Sequence, residues 1–317
     1  MQFQAEGKPA AGIVFDADLG NTIDDALALA MLFGFQGKSE SRVLSVSTTK
    51  SSLNAAIFAD VLVRFYTGEP GPFAPAMPIG LCLSGKMAAP NAMLDAVVGD
   101  AKYARTIVKM NDTADPLALI RNALSAQVDQ NAIVVLTGPA TNLAGLLALP
   151  GSPPLIAQKV RTLVVAADAL TMSDIPAARR VFAEWPTAIV VAGSELGDAP
   201  PFPGGSIDKD FAWSEAHPLV AAYRGYRPMP YEAPAAAMAA ALYAVRPQEN
   251  YTKLSDPGTI TVADDGGIRL APAPGGKHRT LSADPAQKDR IQQIYVEMAS
   301  TKPVGRVQRF RPPQKKQ

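Results

Sequence analysis

Phe15-Asp16-Ala17-Asp18-Leu19-Gly20-Asn21-Thr22-Ile23-Asp24-Asp25-Ala26-Leu27-Ala28-Leu29 is the most informative stretch of the chain. Just before it, Gly12-Ile13-Val14-Phe15 reads as a buried strand, and Asp24 to Phe35 reads as the helix that follows. Four carboxylates therefore sit where a strand ends and a helix begins. Two unit charges 4 Å apart repel by roughly 4 kcal/mol at an effective dielectric of 20. Such a cluster calls for a cation, raised pKa values or wide spacing. Oxygen ligands without a nearby His or Cys favour a hard ion, calcium or magnesium. A purely local reading also exists. Thr22-x-x-Asp25 has the form of a capping box, and Asp24 and Asp25 suit the positive end of a helix. That reading leaves Asp16 and Asp18 unexplained.

Outward from this stretch, short β-rich runs alternate with helical ones. Arg42 to Ser47, Ile79 to Leu81, Ile133 to Leu136, Arg161 to Ala166 and Thr187 to Ala192 read as strands. Helices are expected from Leu53 to Tyr66, from Leu143 to Leu149 and from Ala177 to Glu184. The alternation predicts an α/β fold: a mostly parallel, doubly wound, Rossmann-like sheet with helices on both faces. Ligands of such sheets bind at the carboxyl ends of the strands. After Gly197 the pattern changes to helices near Pro218 to Arg224 and Pro234 to Val245. A hairpin follows, Thr259 to Val262 and Ile268 to Leu270, turning through Asp264-Asp265-Gly266-Gly267, and then a helix from Pro285 to Ala299.

Composition narrows the possibilities. The 317 residues carry 30 Lys plus Arg against 29 Asp plus Glu, a net charge of +1, which gives no electrostatic reason to expect nucleic acid as a partner. No apolar run reaches the ~18–20 residues of a membrane span. The lone Cys82, between Leu81 and Leu83, reads as a buried hydrophobe and excludes an internal disulfide. Met1 to Gly12 contains Glu6 and Lys8 and no signal-peptide pattern, so the chain is read as cytoplasmic or as exported after processing. Residues 306–317 are basic and poor in apolar side chains, a solvated tail.

The aspartate stretch resembles the signature of the nucleoside hydrolases, Asp-x-Asp-x-Gly followed by Asp-Asp-Ala-x-Ala-Leu. Leu136-Thr137-Gly138-Pro139-Ala140-Thr141-Asn142-Leu143 is similar to that family's Thr-Gly-Pro-x-Thr-Asn turn. Asp174-Ile175-Pro176-Ala177-Ala178-Arg179, with Val181-Phe182 and Trp185-Pro186, resembles its central helix, and Tyr243-Ala244-Val245-Arg246-Pro247 its closing section. The likeness runs in order from about Gly12 to Ala299, with residues 1–305 read as one domain of this kind.

The resemblance implies a bacterial-type N-glycosidase acting on a riboside or nucleoside, with calcium as cofactor and a homo-oligomeric assembly. Carried over residue by residue, Asp18 and Asp25 would be metal ligands with the Thr137 carbonyl as a third, and Asp18 would also take the proton of the attacking water. Asp24 would hold a ribose hydroxyl, Asp168 would contact substrate, and Asp16 and Asn21 would support the cluster. Thr137 is also read as part of an ordinary turn, and Thr141 or Asn142 as a helix cap.

Three departures stand out. Leu170 occupies the position of a ribose-binding Asn, with the shorter Asp168 two places earlier instead of Glu. Ala236-Ala237 stand where the family has His-Asp or Trp-Asp, removing the last carboxylate ligand and the residue beside the leaving group. Glu232 is the nearest acid and the candidate substitute ligand. Gly20-Asn21-Thr22 replaces Gly-Asn-Asp. Two readings follow: an active calcium-dependent hydrolase, or a catalytically impaired relative with a binding or assembly role. A third, a phosphatase of the haloacid dehalogenase type built on Asp16 and Asp18, lacks the Gly-Thr expected after its second Asp. His217, before a helix, and His278, read as exposed in a Gly-rich turn, are the other candidate acid–base groups; Tyr231 and Trp213 could stack a base but are read as packing residues.

Overall fold

The computed structural model describes residues 10–71, 75–85, 91–167, 173–193 and 200–303. The chain begins β1 (Ala11–Ala17), α1 (Asp24–Gly37), β2 (Ser41–Thr48), α2 (Leu53–Thr67), β3 (Ile79–Leu81), α3 (Ala92–Val98) and α4 (Pro116–Ser125). It continues β4 (Ala132–Leu136), α5 (Thr141–Ala148), α6 (Ser152–Lys159), β5 (Val160–Ala166), α7 (Ile175–Glu184) and β6 (Ala188–Ala192). The last part holds α8 (Gly205–Lys209), α9 (Pro218–Tyr226), α10 (Ala236–Val245), β7 (Thr252–Leu254), β8 (Gly258–Val262), β9 (Ile268–Pro272), β10 (His278–Ala283) and α11 (Lys288–Ala299).

The sheet runs β3-β2-β1-β4-β5-β6-β10-β8-β9, with β7 also paired to β10. From β3 to β6 every pairing is parallel, and β10 joins β6 in parallel before the antiparallel edge begins. The 3-2-1-4-5-6 order is that of a doubly wound sheet, and it reverses between β1 and β4, where such folds place their ligands. The fold expected from the alternation of strands and helices is the fold observed.

Period-two alternation in β1 divides the core. Ile13, Phe15 and Ala17 face a layer built from α1, α2, α3, α9, α10 and α11, and Val14 faces α4 to α7. Asp16 shares the Val14 face, so its carboxylate points towards α5 rather than towards α1. Among the described residues no helix is long and apolar enough to cross a membrane.

Several local expectations change. The capping box at Thr22 is not formed: Ile23 is the N-cap of α1, and the Thr22 hydroxyl donates to the Asp24 carboxylate instead. Neither Thr141 nor Asn142 caps α5, because both side chains reach across to other elements. His278 is not an exposed turn residue. It is the first residue of β10, buried, and its Nδ1 accepts from the Ile260 amide at 2.8 Å. Parallel pairing of β10 with β6 explains this, since the strand that follows the hairpin is drawn into the main sheet between β6 and β8.

Candidate functional site

At the carboxyl ends of β1, β2 and β4 the chain leaves the sheet through three adjacent turns. The Thr137 amide donates to the Asp16 carbonyl at 3.0 Å and the Thr49 amide to the Ala17 carbonyl at 3.0 Å, so the turns after β4 and β2 are both tied to the end of β1. Gly138 is pressed between them: a Cβ there would lie 2.2 Å from Thr49 Oγ1 and 2.9 Å from the Asp18 amide. The Thr-Gly-Pro turn therefore needs its glycine for close approach to the aspartate segment, not for a special backbone angle.

The four aspartates meet here, and all are buried: Asp16 at 0%, Asp18 at 3%, Asp24 at 5% and Asp25 at 2% exposure. Asp16 Oδ1 accepts from Ser47 Oγ at 2.6 Å and from Asn142 Nδ2 at 2.8 Å, while its Oδ2 has no hydrogen-bond partner among the described residues. Burial pushes its pKa up to about 6, against the lowering effect of those two donors. Asn142 also donates to the Thr48 carbonyl at 3.1 Å, so one amide from α5 clamps β1 to β2.

Asp18 forms an ion pair with Lys50, Nζ to Oδ1 2.6 Å, with both side chains at 5% exposure or less. Its other oxygen accepts from the Asn21 side-chain amide, and its carbonyl accepts from the Asn21 backbone at 3.2 Å. Lys50 is the one Lys or Arg buried among the described residues. Asp24 and Asp25 lie in the first turn of α1, where the helix dipole favours negative charge. Asp24 Oδ1 accepts from the Thr22 hydroxyl, and Oδ2 accepts from the Ala237 amide at 3.1 Å. Ala237 is itself buried in the first turn of α10.

Comparison with solved structures identifies this architecture. A plant nucleoside hydrolase superposes with a TM-score of 0.67, covering 92% of this chain and 99% of that one at 19% identity. A purine-preferring ribonucleoside hydrolase from Gardnerella vaginalis gives 0.68 over 91% and 98% at 15% identity. The chain has the nucleoside hydrolase fold. The type III effector protein XopQ, complexed with adenosine diphosphate ribose, shares it with a TM-score of 0.64, covering 94% and 96% at 11% identity. No protein-family model matches the chain, and no curated protein matches it.

Within this nucleoside hydrolase fold, Asp16, Asp18, Asn21, Asp24, Asp25 and Thr137 come together at the strand ends. Asp168 and Leu170 lie outside the described residues. Glu232 is exposed, next to the Ala233 segment that pairs with Phe202; the Tyr223 phenol has its pKa raised by burial first and then by the charge of Glu232. Among the described residues no three His, Cys, Asp or Glu side chains form a metal-holding group. His217 is enclosed by Phe65, Phe211 and Trp213, with ring centroids 4.4, 5.1 and 5.1 Å away. Trp213 donates its indole N–H to the Ser300 carbonyl at 2.9 Å, and Tyr231 stacks on Tyr223 at 4.4 Å. Both aromatics are packing residues.

Lys50 escaped the sequence reading. Its local context, Thr48-Thr49-Lys50-Ser51-Ser52, looks like a polar loop, and its partner is 32 residues away (50 minus 18).

Proposed function

We propose that this protein is a non-hydrolytic relative of the nucleoside hydrolases, in which the fold serves binding or assembly. One observation carries the reading: Asp24, which the resemblance would assign to a ribose hydroxyl, accepts from the Thr22 hydroxyl and from the amide of Ala237. The carboxylate thus serves the start of α10, at a position where the family's own acid is replaced by alanine.

The residues present do not fit a calcium ion. Calcium takes six to eight oxygen ligands, whereas Asp18 is engaged by the Lys50 ammonium and the Asn21 amide nitrogen. A divalent ion about 4 Å from that ammonium would meet roughly 8 kcal/mol of repulsion at an effective dielectric of 20. Water activation on such an ion supplies the nucleophile in metal-assisted hydrolysis, and no step of that kind is assigned to these residues. Asp16, held by Ser47 and Asn142 behind the cluster, acts in this reading as a tie between β1, β2 and α5.

The test is a panel of purine and pyrimidine ribonucleosides incubated with the protein, with and without calcium, and release of free base followed by chromatography. No release above the protein-free control is expected. Release that disappears in Asp18→Asn would overturn the proposal and restore the hydrolase reading.

A further inference from the structure

We infer that the Lys50 ammonium occupies the place of a divalent cation at the strand ends, so that the cleft carries its own counter-ion and is complete without metal. The inference rests on the non-hydrolytic reading of this cleft and adds what holds the cluster together.

Four aspartates within residues 16–25 are each at most 5% exposed. Buried carboxylates persist only when paired or hydrogen-bonded. Here the protein supplies the partners. Ser47 and Asn142 donate to Asp16, Thr22 and the Ala237 amide to Asp24, and Asn21 to Asp18, which Lys50 meets as an ion pair. The first turn of α1 adds a favourable dipole for Asp24 and Asp25. Among the described residues, Lys50 is the buried side chain that brings a full positive charge to the cluster.

The backbone holds it there. The Thr49 amide binds the Ala17 carbonyl at 3.0 Å, and the Ser52 amide closes a turn on the Lys50 carbonyl at 3.0 Å. Gly85 covers the loop so closely that a Cβ would lie 2.5 Å from the Thr49 carbonyl oxygen and 3.0 Å from Lys50 Cα. The lysine stem is thereby kept inside, its side chain 5% exposed, and the ammonium is delivered to Asp18. A tethered ammonium is a point charge with three donors. It compensates carboxylates, yet offers no open coordination position for a water or a diol.

The test uses calcium itself as the probe, with calorimetry and thermal melting of chelator-treated protein. Wild type and Lys50→Arg, which retains the charge, are expected to bind no calcium at millimolar concentration and to melt unchanged. Lys50→Gln removes the charge and offers an amide oxygen. Its melting temperature should fall and then rise by about 4 °C with calcium at 100-fold over its dissociation constant. The double variant Asp18→Asn/Lys50→Gln removes both charges. It should recover stability lost in Lys50→Gln and show no calcium response. Calcium binding by wild type overturns the inference, as does a Lys50→Gln protein without a calcium response or a double variant no more stable than the single. Calorimetry and melting read the cation alone and the nucleoside assay reads turnover alone. Calcium-free base release would therefore overturn the non-hydrolytic reading, whereas calcium binding without release would overturn only the role of Lys50.

Discussion

Replacing His217 by Phe should make the protein more resistant to acid, by an amount set by the burial of that ring. His217 is 2% exposed and neither ring nitrogen has a hydrogen-bond partner among the described residues. Burial alone lowers its pKa from 6.5 to about 4. Between those values the unfolded chain holds a proton that the folded protein does not, so stability falls as pH falls through 6.5 and stops falling below about 4. At about 1.36 kcal/mol per pH unit, the full loss is about 3 kcal/mol, with about 2.5 kcal/mol reached by pH 4.5. Asp16 acts in the opposite sense. Its pKa is raised from 3.8 to about 6, so the folded protein retains a proton that the unfolded chain has released, and stability rises by about 3 kcal/mol as pH falls through that window. The two nearly offset each other in the wild type. Urea denaturation followed by tryptophan fluorescence at pH 7, 5.5 and 4.5 separates them. The stability difference between His217→Phe and wild type should widen by about 2.5 kcal/mol from pH 7 to pH 4.5. Any fixed cost of fitting the larger ring cancels in that comparison. Parallel pH curves would refute the reasoning, because His217 would then titrate alike in both states.

Two further substitutions probe how the strand ends and their surroundings are held. Gly138→Ala places a methyl 2.2 Å from Thr49 Oγ1 and 2.8 Å from Asp18 Cβ; it should cost about 1–3 kcal/mol in chemical denaturation, and a neutral result would mean the turn does not press on the aspartate segment. Asp60, 1% exposed in α2, accepts from the Thr106 hydroxyl at 2.8 Å, from the Ile107 amide at 3.0 Å and from the Thr106 amide. Asp60→Ala should cost about 3 kcal/mol and speed amide exchange at Thr106 and Ile107; unchanged exchange there would show that the carboxylate does not pin that loop.

What could be read in the sequence was what repeats locally. The strand Ile13-Val14-Phe15 and the helix from Asp24 carry their periods on the surface of the text, and the parallel sheet followed from their alternation. The aspartate cluster was visible for the same reason, as four acids within ten residues (16 to 25). Interactions set by strand adjacency were not visible. Asn142 looked like a cap and instead crosses from α5 to Asp16 and the Thr48 carbonyl; His278 looked like a turn residue and instead enters the sheet beside β6. Lys50 is the most consequential of these. Its pairing with Asp18 depends on β1 and β2 being parallel neighbours, with Asp16 opposite Ser47 and Ala17 opposite Thr48. The residues just beyond those pairs, Asp18 on one strand and Lys50 on the next, then open into the same cleft. A parallel sheet always gathers the residues following its strands at one edge, so those residues form a set even where the text separates them by thirty positions or more. Taken as that set, Asp18, Lys50 and Thr137 include an acid and a base side by side. On the proposed non-hydrolytic reading, Lys50 opposes within the chain the Asp18 charge that a metal would otherwise neutralise, and the aspartates are then better evidence for the fold than for the reaction.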